Sequence, residues 1–249
     1  MSGPRRFARL LEDEIDGLEA VNASLTGLTL LHHALYLPEL VARFHPDAVV
    51  VQINDGELDD LNRWFREDES PEALLGRFRA AEAGAYPARG GLLAVPEALA
   101  RKSGLATFGY RRLVLLAAKE RRRLGGKFRA TPVSRPVDPA RLAPLVDGLY
   151  ARLVAAGPPV VFLYIPNMKY GSGGCENKWP DRRRFFSAFA ARTGATVVDL
   201  SDDFRREYAA TGEPLHGFSN SVVGTGHINA AGHRVAASAL ADGLHEALP

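Results

Sequence analysis

Three continuous apolar runs rich in β-branched residues constrain this chain more than anything else in it. They are Ala48–Ile53 (AVVVQI), Pro159–Pro166 (PVVFLYIP) and Ala195–Leu200 (ATVVDL). Runs this short, apolar at successive positions, fit strands buried in the middle of a layered fold. The segments around them repeat their apolar residues at helical spacing. Phe7, Leu10, Leu11, Ile15 and Leu18 mark a first amphipathic helix. A second opens at Gly27 and runs through Leu31, Leu35, Leu40 and Val41, with Pro38 expected to kink it. Leu142–Ala156, Asp181–Thr193 and Asn229–Leu248 read as three more helices. A fourth short apolar run, Leu18–Ala23 (LEAVNA), ends in polar residues and reads as a strand entering a loop. Strands alternating with helices imply a parallel sheet covered by helices on both faces. In such sheets ligands bind beyond the carboxyl ends of the strands.

Residues from about 60 to 140 follow a different pattern. Trp64–Ala83 and Leu105–Leu124 read as amphipathic helices, the second ending in Arg121-Arg122-Arg123 and capped by Gly125-Gly126. Gly- and Pro-rich stretches lie between and after them. The expectation is a single domain over 1–249 with a helical insertion at about 60–140. The basic run is expected to be a solvated helix end, favoured by the helix dipole.

Charge and cysteine content exclude some classes. A net charge of +2 in 249 residues is too small an excess to argue for nucleic acid. One cysteine, Cys175, leaves no intrachain disulfide. Met1–Asp16 has no apolar signal-peptide core, and no run approaches the length of a membrane span. The chain as written reads as cytoplasmic, with export open if an upstream segment carries a signal.

The polar loops after the strands hold the candidate chemistry. They are Asn22-Ala23-Ser24-Leu25-Thr26-Gly27, Asn54-Asp55-Gly56, and Gly224-Thr225-Gly226-His227-Ile228-Asn229-Ala230-Ala231-Gly232-His233 before the last helix. Each also has an ordinary reading. Gly27 suits a helix start, and Asn54-Asp55-Gly56 is a good turn. His227 suits a helix start with Asn229 as its cap. His233 reads as structural, and Cys175 as part of a flexible loop. His32, His33 and His45 have no carboxylate at metal-ligand spacing.

From its second motif onward, over about residues 5–56 and 142–248, the chain resembles the SGNH (GDSL-type) hydrolases. Gly27 is placed like that family's oxyanion glycine. Asn54, in VVVQINDGELDDL, is placed like its oxyanion asparagine. His227, in GTGHINAAGH, is placed like its catalytic histidine, and Leu215–Asn220 (LHGFSN) is similar to the family's lead-in. The resemblance implies a flavodoxin-like doubly wound sheet. It also implies an esterase or acyltransferase that needs no cofactor and acts on an acylated sugar, a lipid or a natural-product intermediate. Asp55 and Asn229 would be supporting residues. Two departures stand out. The strand ending in Gly-Asp-Ser, central in such a sheet, does not precede the first helix. The family's Asp three residues before the histidine is Gly224 here, which leaves a Ser–His dyad, or orientation by Asp202, as alternatives. A non-catalytic member that binds a ligand in the same cleft is the other functional class.

Overall fold

A computed structural model describes residues 7–23, 28–66, 69–85, 138–217 and 222–248. Gly27, the helix read at Leu105–Leu124 and the basic run Arg121–Arg123 lie outside them. Contacts divide the chain into two compact units, residues 1–75 with 138–249, and residues 76–137.

In chain order the elements are α1 (Phe7–Glu14), α2 (Leu30–Phe44), β1 (Val49–Asn54), α3 (Glu57–Trp64) and α4 (Pro71–Ala85). Then come α5 (Pro139–Val154), β2 (Val160–Ile165), β3 (Met168–Gly171), β4 (Gly174–Asn177) and α6 (Pro180–Thr193). The last are β5 (Thr196–Asp199), α7 (Ser201–Thr211) and α8 (Ala230–Ala247). The fold is mixed α/β, with β1, β2 and β5 forming a parallel sheet in the order β1-β2-β5. The register sets Asn54 beside Ile165, and Tyr164 beside Asp199. β3 and β4 form a separate antiparallel hairpin.

Both faces of the sheet are covered, as the apolar strand runs require. On one face Val161, Leu163 and Ile165 of β2 share a core with Leu11 of α1, Phe204 of α7, and Ala236, Leu240 and Leu244 of α8. On the other, Phe162 meets Phe189 of α6 edge-on at 5.5 Å and Tyr150 of α5 at 5.8 Å. Tyr164 packs on Phe186 at 5.3 Å. Arg152 of α5 donates to the Ala34 carbonyl at 3.0 Å, which fastens α2 to this same layer.

Several expectations are corrected. Leu18–Ala23 forms no strand; Val21 is 56% exposed, and the Ala20 amide bonds to Glu12 Oε1 at 2.9 Å. A strand needs a neighbour for its ladder, and among the described residues none runs beside this segment. Among the described residues β1 is an edge strand, and it is not buried on both faces. Val51 and Ile53 are buried, whereas Gln52, on the opposite face, is exposed. The helix expected over Trp64–Ala83 starts later, at Pro71, as α4, and Trp64 is instead the last residue of a separate helix, α3. Ser70 Oγ accepts the Ala73 amide at 3.2 Å, the work of an N-cap followed by proline at the first helical position. Cys175 is buried in β4, not in a flexible loop, and burial pushes its thiol up to about 11.

Candidate functional site

β1 and β2 deliver their last residues side by side, and the polar groups that follow are fixed by one another. Asn54 Oδ1 accepts the Gly56 amide at 2.7 Å, which closes the turn after β1. The next residue, Asp55, is buried. It accepts the Tyr164 hydroxyl at 2.5 Å, the Asn167 amide at 2.6 Å and Asn167 Nδ2 at 3.1 Å. Burial, reinforced by the Asp55 charge, pushes the Tyr164 hydroxyl far above its ordinary range and keeps it a donor. Asp55 is thus a strap between the ends of two strands. Arg182 of α6 reinforces it by bonding to the Asp55 carbonyl and making a two-pronged pair with Asp59 at 2.7 and 2.9 Å.

Glu57, the first residue of α3, is 3% exposed. Its Oε2 accepts the Leu30 amide at 2.8 Å and its Oε1 accepts Asn54 Nδ2 at 3.4 Å. One carboxyl group therefore joins the first turn of α2 to the Asn54 side chain. Desolvation pushes Glu57 up to about 8; the Leu30 bond works against this, and Asp60 adds to it.

His227 is exposed, in a loop pinned at its base. Its carbonyl accepts the Gly217 amide at 2.8 Å, His216 and Ile228 pair as an antiparallel bridge, and the Asn229 amide bonds to Leu215 O at 2.8 Å. His216 lies buried below. Its Nδ1 meets the hydroxyl of Tyr170, on β3, at 2.5 Å. Burial pulls His216 down to about 4, so the ring is neutral at ordinary pH. β3 starts at Met168, just past β2, so the Tyr170–His216 contact ties the base of the His227 loop to the segment that follows β2.

Asn229 is the cap of α8. Its Oδ1 accepts the Ala231 and Gly232 amides at 3.0 and 3.1 Å, and its Nδ2 donates to Pro214 O at 2.6 Å. His233 Nδ1 accepts the Phe7 amide at 3.3 Å, which ties α1 to α8. Gly224 has φ +82°, and a Cβ there would stand 3.3 Å from Tyr170 Cδ2, so the backbone disfavours an aspartate at this position. Asp202 is held by Arg183 at 2.8 Å and by Arg205, and the Arg183 bond lowers its carboxyl below the usual range. Among the described residues no cluster of three His, Cys, Asp or Glu side chains is arranged to hold a metal.

Asn54, Asp55 and Asn229 thus each have defined partners, while Gly27 is outside the described residues. Sequence reasoning passed over Glu57 and His216. Glu57 sits two residues past Asp55 in a run of acids, and His216 lies in the LHGFSN segment without a distinguishing neighbour. No family model matches this chain, and no curated protein matches it.

Proposed function

We propose that this chain is the larger part of an SGNH-type esterase or acyltransferase. Its nucleophilic serine would arrive on a strand that pairs with the open edge of β1. The observation that carries the reading is the sheet order. β1-β2-β5 matches the last three positions of a flavodoxin-like 2-1-3-4-5 sheet, in which the first strand lies against the third. β1 takes the third position, and among the described residues nothing pairs with its outer edge. Leu18–Ala23, without a strand beside it, is left as coil, which fits the loss of the neighbour it would share with β1.

In this reading the serine oxygen attacks an ester carbonyl while His227 takes its proton. The Asn54 amide and the Gly27 backbone N–H stabilise the oxyanion, commonly the largest single contribution to catalysis. His227 then returns the proton to the leaving alkoxide. With Gly224 in place of an aspartate, the pair works as a dyad. No cofactor enters these steps. The substrate class is an acylated sugar, lipid or natural-product intermediate.

The test is ester turnover by the chain extended upstream through a Gly-Asp-Ser strand, compared with residues 1–249. Turnover is expected only in the extended form. His227→Ala should lower it by orders of magnitude and Asn54→Ala by roughly 100-fold. Hydrolysis by residues 1–249 that Cys175→Ala abolishes contradicts the reading.

The glycine turn at 224 favours a second reading, a non-catalytic ligand-binding or interaction protein on the same scaffold. An extended chain that is stably folded and inert supports that one instead.

A further inference from the structure

Glu57 stands out from the other acids of the chain by where it is buried and what it holds. Neither of its bonds is needed to cap its own helix. Both reach outward, to the Leu30 amide at the start of α2 and to Asn54 Nδ2. An oxyanion bound by Asn54 accepts from the same NH2 group that Glu57 touches. The two acceptors are then only a few ångströms apart, beside a carboxyl group that is itself buried. Two negative charges at that separation repel strongly, and one of them has to be neutralised.

We propose that Glu57 is a positioning residue that works as a neutral acid. Asn54 Nδ2 has a second N–H for an oxyanion in either state; protonated, Glu57 leaves that oxyanion without a negative neighbour, and ionised, it repels the negative oxygen. This rests on the esterase reading for its purpose, but the exchange between Glu57 and Asn54 belongs to the chain itself. The surroundings supply little to stabilise the charge. Asp60, on the same helix, opposes ionisation, and Arg182 is committed to Asp59 and the Asp55 carbonyl. From α2, His32 bonds to Thr29, and burial holds His33 neutral, down to about 4. Desolvation thus opposes ionisation, with the Leu30 amide as the main counterweight.

The experiment is a pH titration of residues 1–249 by NMR, following the Asn54 side-chain amide and the Glu57 carboxyl carbon. Both signals are expected to move together with a midpoint near 8. In Glu57→Gln the Asn54 amide should stay flat over that range. A Glu57 carbon that titrates near the ordinary glutamate value of 4.5 overturns the proposal. So does an Asn54 amide that ignores pH in the wild type, or that titrates unchanged in Glu57→Gln. If Glu57→Gln fails to fold, the two wild-type signals still decide. Because no turnover is measured, failure of the esterase reading and failure of this one are separate results. In an active extended chain, Glu57→Gln should remove the alkaline fall in kcat while changing KM little.

Discussion

Tyr164, near the end of β2, donates its hydroxyl to Asp55, just past the end of β1, across 2.5 Å. That bond and the two from Asn167 fix where the Asn54 turn stands relative to the next strand. Asp55→Ala strands three donors, two of them on Asn167. The buried Tyr164 hydroxyl left without a partner costs about 1–3 kcal/mol, and the two donors of half-buried Asn167, which water can reach, add less, so the expected loss is roughly 2–5 kcal/mol. Tyr164→Phe removes one bond while Asp55 keeps Asn167, and is expected to cost about 1 kcal/mol. Urea unfolding midpoints measure both. Equal losses for the two variants would show that Asp55 is not the strap described.

Glu57 makes stability fall as pH rises. Its ordinary carboxyl value is 4.5 and in the folded chain it stands near 8. The folded state holds the proton more tightly than the unfolded chain does. Its contribution is therefore complete below about 4.5 and lost as pH climbs through about 8. Thermal melts across that window are expected to decline in the wild type and to be flatter in Glu57→Gln. A steeper decline in the variant than in the wild type contradicts this assignment.

His216 acts on the acid side with the opposite sign. Burial lowers it from 6.5 to about 4, so the folded state resists its protonation. The stability it contributes is present above about 6.5 and is lost as pH falls through about 4. His33 behaves the same way, for the same reason. His216→Gln should weaken the acid-side decline without abolishing it. Circular dichroism melts at several pH values between those limits provide the check, and an unchanged acid dependence counts against the buried neutral ring.

Gly224→Asp places a side chain where φ is +82° and Tyr170 stands 3.3 Å from the new Cβ. The expected cost is about 1–2 kcal/mol from the left-handed backbone alone. In an active extended chain this variant should gain no turnover, despite restoring the acid that the family resemblance calls for. A gain in activity at unchanged stability refutes the glycine argument.

The parts of this architecture that were legible in the sequence are the ones that local pattern decides. Val49–Asn54, Val160–Ile165 and Thr196–Asp199 are rich in β-branched residues, and their carboxyl-end loops hold Asn54 and Asp55. Whether a strand has a neighbour is not a local property. The VVVQI run reads the same in the middle of a sheet or at its edge, and only the exposed Gln52 hints at the latter. Leu18–Ala23 shows the converse, an apolar run that forms no strand, with none beside it among the described residues. Ser70-Pro71 was a readable helix start that the longer periodic pattern masked. Glu57 could not be told from Asp59 and Asp60 by sequence, since its burial depends on where the first turn of α2 packs.

The central claim is that the outer edge of β1 receives the strand that carries the nucleophile. The Val49 amide bonds to Pro159 O at 2.9 Å, on the β2 side. Backbone groups alternate along a strand, so the amides of Val50 and Gln52 point to the open edge. Hydrogen exchange at these two amides, in residues 1–249 and in the upstream-extended chain, tests the claim most directly. They are expected to exchange quickly in the shorter chain and to slow by orders of magnitude in the extended one, while Val51 and Ile53 are slow in both. Equal, fast exchange of Val50 and Gln52 in the two forms would contradict it.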